Sequence, residues 1–103
     1  MILGKVFSRN GVAIRLTEER WEHILDNHSD LFDYADYELT LETVADPEYV
    51  LRGGAGAMVA VTPFGRRGFL NVLYREVSRT DGFIITAYTT STVDRRRIVW
   101  RKN

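Results

Sequence analysis

Along residues 20–28, RWEHILDNH, the apolar positions fall on one helix face: Trp21, Ile24, Leu25 and His28 occupy i, i+3, i+4 and i+7. The pattern predicts a helix running to about His28. Thr17 stands where its N-cap belongs, Glu18 and Glu19 lie against the positive helix end, and Leu16 and Trp21 take the two positions of a hydrophobic staple. Before this helix, residues 4–9 and 12–16 read as short strands around Asn10-Gly11, a strong hairpin signal because both turn positions accept positive φ. After it, residues 29–38 (SDLFDYADYE) are polar, aromatic and acidic, and read as a loop or a ragged extra turn. Thr40 is then expected to cap a second short helix, LETVAD, which Pro47 stops because the residue before a proline avoids the α region.

Beyond Pro47 the pattern becomes β. Residues 57–62, 69–77 and 83–91 are strand-like, punctuated by Pro63-Phe64-Gly65 and Thr80-Asp81-Gly82, which predicts antiparallel hairpins. The closing RRRIVWRK alternates weakly and is a candidate last strand. Gly53-Gly54-Ala55-Gly56 reads as a flexible turn rather than a phosphate cradle, since no helix follows it. The expectation is one α+β domain over residues 1–103, with helices in the first half and a meander sheet in the second.

Composition changes this picture little: 103 residues with 45% hydrophobic and 27% charged is ordinary for one globular domain. The absence of cysteine excludes disulfides, iron–sulfur clusters and cysteine-based zinc sites, and leans mildly to a cytoplasmic setting. No apolar run approaches the ~18 residues of a spanning helix, so no membrane partner is expected. The opening MILGKVF is too short and lacks the basic start of a signal peptide.

Charge is more informative. The net charge is zero, but residues 1–51 carry eleven acids against four bases, a balance of −7, and residues 52–103 carry ten bases against three acids, a balance of +7. Such asymmetry points either to an anionic partner for the basic half or to mutual attraction of the halves within one fold.

Both histidines lie in the first helix. Five residues apart, they are about 140° apart around the axis. A helical two-histidine metal site needs i and i+4 on one face, so no metal is expected here. His28 shares the apolar stripe. It reads either as a core-edge histidine bonded to a carbonyl, or as a proton carrier where helix meets sheet. His23 points away from the stripe, onto a solvated face unless another element covers it.

In the strand TAYTTST, residues 86–92, Thr86, Tyr88 and Thr90 share one face by alternation. They form either a half-exposed strand face or a row of hydroxyls able to hold a phosphate. Arg75, on the preceding strand, offers a planar fork that matches phosphate oxygens, or pairs with an acid of the first half. Arg95, Arg96 and Arg97 are followed by Trp100, Arg101 and Lys102, the densest basic run. Basic residues with an aromatic suit RNA; they also suit an exposed edge strand.

The succession LTEERWEHILDNH, LETVADPEYV, FLNVLYREV, GFIITAYTTS and RRRIVWRK resembles the small phage- and bacterial-type nucleases grouped with barnase, EndoU, colicin ribonuclease domains and RelE-like toxins. The resemblance covers about residues 14–102. Relatives commonly read His-Pro-Glu where this chain has His28-Ser29-Asp30. The resemblance implies an α+β fold, with N-terminal helices packed on a four-stranded antiparallel sheet. It also implies metal-independent, cofactor-free RNA cleavage, in which the 2′-hydroxyl attacks the adjacent phosphate. By position, His28, His23, Arg75, Thr86 and Tyr88 would line the catalytic site. Arg52, Arg95, Arg96, Arg97 and Trp100 would hold RNA. A toxin-type nuclease implies a cognate inhibitor, an antitoxin or immunity protein. The alternative is a non-catalytic RNA- or protein-binding module of the same fold, and a third reading is a subunit that dimerises by pairing its C-terminal edge strand.

Overall fold

A computed structural model describes residues 1–28 and 32–103. Residues 29–31, part of the expected loop, lie outside the described residues. Strands β1 (Ile2–Phe7), β2 (Ala13–Thr17), β3 (Tyr49–Arg52), β4 (Met58–Pro63), β5 (Phe69–Glu76), β6 (Gly82–Thr90) and β7 (Ile98–Arg101) form one sheet. Their order is β1-β2-β6-β5-β4-β3-β7. All neighbours are antiparallel except β2 and β6, which run parallel.

This corrects the expected architecture. Among the described residues there are seven strands in a mixed sheet, not four in an antiparallel meander, and the two α-helices, α1 (Glu18–His28) and α2 (Tyr37–Ala45), follow a hairpin instead of opening the chain. The meander is present as β3-β4-β5-β6. What enlarges it is non-local: β2 joins β6 through only two residue pairs, Ile14 with Gly82 and Arg15 with Phe83, and β7 returns to pair with β3.

Local signals explain the elements. Thr17 caps α1, its Oγ1 accepting from the Arg20 N–H at 3.1 Å. Leu16, Trp21 and Ile24 are fully buried. The first hairpin turns at Asn10-Gly11, but not with two positive φ values. Ser8 accepts from the Gly11 N–H at 2.9 Å and donates to Val12, and only Gly11 (φ 78°) is left-handed. That is a three-residue loop, one turn followed by a left-handed glycine.

The second helix also starts earlier than expected. Asp33 and Asp36 form a reciprocal cap around a 3-10 turn at Tyr34–Asp36, which leads directly into α2. Thr40 therefore sits inside the helix, with its hydroxyl returned to the Asp36 carbonyl at 3.0 Å.

Both helices cover one face of the sheet. The main core joins Trp21 and Ile24 of α1 and Leu41 and Val44 of α2 to Ile14, Leu16, Ala60, Leu70, Val72, Tyr74, Ile84 and Ala87. The β5–β6 register shifts between Leu73 and Tyr74, a bulge that leaves Ile85 between paired neighbours. The bulge lets Ile84 and Ala87 both face the helices although they are an odd number apart. Residues Thr86, Tyr88 and Thr90 consequently face the other way. There the sheet carries only a small apolar cluster, Leu51, Val59 and Val61 with Tyr49, Phe69, Leu73, Val93 and Ile98 around it. Neither α1 nor α2 covers this second face.

Candidate nucleic-acid interface

The uncovered face holds a groove of about 630 Å³ lined by Leu51, Arg52, Val59, Asn71, Tyr88, Thr90, Ser91, Thr92, Asp94 and Arg97. Its floor is the apolar pair Leu51 and Val59, and its walls are polar. Asn71 is the fixed point. It stands directly opposite Tyr88 in the β5–β6 register, is only 7% exposed, and its Nδ2 donates to Thr90 Oγ1 at 2.8 Å. That bond orients the first hydroxyl of the wall.

The other wall comes from the segment between β6 and β7. Asp94 caps a 3-10 turn at Arg95–Arg97, accepting from the Arg96 N–H at 3.1 Å and from Arg96 Nε at 3.3 Å. The Arg96 hydrogen bond holds the Asp94 carboxyl below its usual range, so it is ionised at neutral pH and already partnered. Arg97 donates its Nε–H to the Arg52 carbonyl at 2.8 Å. This fixes the plane of the guanidinium at the groove edge and ties the β6–β7 segment to the end of β3.

Further along the same face, alternation presents more cations beside rings. Phe83 is opposite Arg75 on β5 and Arg15 on β2, and Arg101 lies over the Tyr49 ring at 5.9 Å. Arg15 is paired with Asp81. The two charge clusters of the sequence are thus sorted. Among the described residues one ion pair, Lys102 to Asp46 at 3.0 Å, joins a base of the second half to an acid of the first.

The sequence-predicted residues divide between the two faces. Tyr88, Arg52 and Arg97 line the groove. Thr86 is on the same face, opposite Leu73, one alternation further along β6. Arg75 is four residues beyond Asn71 on β5, roughly 13 Å at strand rise, so it belongs to the open face but not to the groove. Arg96 is held on Asp94, and Arg95 is exposed.

Trp100 is elsewhere. It pairs with Val50, whose side is that of the helices, and it carries the Arg9 guanidinium at 4.2 Å from its ring centre.

The histidines are also on the helix side. His28 is half-buried at the end of α1, edge-on to Phe32 with ring centres 6.0 Å apart, and Phe32 in turn meets Phe64 of the β4–β5 turn. His23 is exposed, and Asn27 Nδ2 donates to its backbone carbonyl at 3.0 Å. Between α1 and Tyr88 lies the buried layer of Ala87 and Val72. The structure therefore does not bring either histidine to the hydroxyl row. Residues missed by sequence reading are Asn71, Ser91, Thr92 and Asp94. Asn71 alone had a signal, as the one polar residue inside the apolar run FLNVLY.

No group of three or more histidine, cysteine, aspartate or glutamate side chains is positioned to hold a metal among the described residues, and none of their helices is long and apolar enough to cross a membrane. No family model, curated protein or solved structure matches the chain. The groove is accordingly read from its own chemistry.

Proposed function

We propose that this protein is an RNA-binding module that lays a single strand across the open face of its sheet. One observation carries the reading: Tyr88, Asn71 and Thr90 converge with Arg52 and Arg97 in a groove on a face that neither α1 nor α2 covers. A single strand offers phosphates to guanidinium forks and unstacked bases to aromatic faces. The groove holds both kinds of partner, and Arg75, Phe83, Tyr49 and Arg101 continue them along the sheet. An RNA ligand implies a cytoplasmic setting.

Endoribonuclease activity of the toxin type is the second reading. It is favoured by Tyr88 sharing the groove with Arg97, a phenol beside a group that steadies charge on a phosphate. A protein inhibitor would then be expected to cover this same face. With the histidines across the sheet, Tyr88 rather than His28 is the proton carrier in this version.

A fluorescent single-stranded RNA of mixed sequence tests both, with EDTA present and the RNA run on a denaturing gel after each titration. The binding reading expects anisotropy that rises with protein, weakens steeply with salt, and leaves the RNA intact. Absence of binding at low salt overturns it. Cleavage that is lost in Tyr88→Phe selects the nuclease reading.

A further inference from the structure

On the helix side, beyond the reach of α1 and α2, a second cavity of about 220 Å³ is lined by Arg9, Asn10, Val50, Met58, Tyr74, Val99 and Trp100. Its location is set by the first hairpin. The turn between β1 and β2 folds over the end of the sheet. Ser8 Oγ and Asn10 Nδ2 each donate to one oxygen of the Glu76 carboxylate, Asn10 at 2.9 Å, and the Arg9 guanidinium lies over Trp100. Two edge regions far apart in the sheet order are thus bridged, and the cavity is the space left under the bridge.

The lining is apolar apart from the turn and one phenol. Tyr74 is 1% exposed, among the most buried large side chains of the chain. Its hydroxyl has no hydrogen-bond partner among the described residues and is not sealed from solvent. The ring belongs to the main core and the residue also lines the cavity, so the accessible O–H opens onto that space.

We infer that this cavity is a binding site for a small molecule with a single aromatic ring carrying a hydrogen-bond acceptor, the ring lying against Val50, Met58, Val99 and Trp100 and the acceptor taking the Tyr74 O–H. Size supports one ring: an apolar cavity of about 150 Å³ accommodates benzene, and this one is somewhat larger. Burial and the nearby Glu76 charge push the Tyr74 hydroxyl up to about 12, so it remains a donor at neutral pH. The site is on the opposite face from the RNA groove and does not depend on that reading.

Toluene and 3-methylpyridine are nearly isosteric guests that differ in the ring nitrogen. Each is titrated into the full chain while the methyl signals of Met58, Val50 and Val99 are followed by NMR. Both guests are expected to shift these signals, with contacts from guest protons to the Met58 methyl and the Tyr74 ring in the wild type. Tyr74→Phe retains the ring volume and removes the donor. It should weaken 3-methylpyridine about fivefold relative to toluene, the worth of one neutral hydrogen bond. Unperturbed methyl signals with both guests, or an equal change for both in Tyr74→Phe, overturns the inference.

Discussion

Ala87 and Tyr88 are consecutive on β6 and belong to opposite sides of the protein: Ala87 is fully buried beneath the helices, and Tyr88 lines the open groove. One peptide unit separates the core from the candidate interface. Substitutions at the two positions should therefore separate stability from binding. Tyr88→Ala is expected to weaken single-stranded RNA by about 1–3 kcal/mol if a base stacks on the ring, with a small change in thermal midpoint. Ala87→Leu, which overfills a closed layer, should cost about 1–3 kcal/mol of stability. Anisotropy titration and denaturant melts of both variants check this, and equal loss of binding and stability in Tyr88→Ala would count against the interface.

Arg97 lends itself to a quantitative test because only its Nε–H is committed to the Arg52 carbonyl. If its terminal nitrogens meet a phosphate, Arg97→Ala removes one counterion-releasing contact. The slope of log K against log salt should then become shallower by about 0.7, the single-strand value per phosphate. Arg97→Lys keeps the charge but loses the fork, so it should restore most of the slope without all of the affinity. A slope unchanged in Arg97→Ala places the phosphate elsewhere.

The histidines make the opposite prediction. His28 packs edge-on against Phe32 on the helix side, and His23 is exposed on the outer face of α1. His23→Ala and His28→Ala should leave RNA affinity unchanged, and His28→Ala should lower stability modestly through the lost ring contact, about 0.5–1.5 kcal/mol. Loss of binding or of RNA cleavage in either variant would show that RNA reaches round the rim of the sheet to α1.

What was legible in the sequence was local. The Thr17 cap, the stripe of Trp21 and Ile24, the hairpin at Gly11 and the shared face of Tyr88 and Thr90 all depend on residues a few positions apart. The parallel joining of β2 to β6 depends on Ile14 meeting Gly82, and no periodicity encodes a two-pair contact across so much chain. Thr40 looked like a cap and became a helix-interior residue because Asp33 and Asp36 start the helix first, a competition between two plausible caps. The histidine helix and the hydroxyl strand were each identified, but which side of the sheet each would face depended on the bulge after Leu73, and an extra residue in a strand leaves alternation ambiguous. Trp100 adjoins arginines in the chain, whereas alternation along β7 puts its side chain on the face opposite Arg101.

The clamp at the first hairpin should be measurable by mutation. Glu76 accepts from Ser8 and from Asn10, and Ser8 is buried. Glu76→Gln keeps one acceptor and changes the other to a donor, and Glu76→Ala removes both. Hydrogen bonds to a charged group are worth about 1.5–3 kcal/mol each when buried and less when exposed; Asn10 is exposed, so Glu76→Ala is expected to cost about 2 kcal/mol in total. Denaturant unfolding should show a lower midpoint with little change in slope. Faster amide exchange across residues 8–12 than in the wild type would locate the loss at the turn.

Tyr74 predicts an alkaline limit to stability. Its hydroxyl is held up to about 12 in the folded protein, first by burial and then by Glu76, against an ordinary value of 10.0. Above pH 10 an unfolded chain gives up this proton while the folded chain retains it, so the unfolded state gains relative to the native one as pH rises. The stabilisation is fully present below pH 10 and is lost progressively through pH 12. Two pH units correspond to about 3 kcal/mol at 1.36 kcal/mol per unit. Urea midpoints measured from neutral pH to pH 12 should fall in this window. The same series on Tyr74→Phe should fall less steeply, because phenylalanine has no proton to lose. Parallel curves for the two proteins would assign the alkaline transition to the other tyrosines and to the lysines, and would mean that the Tyr74 phenol is not protected in the core.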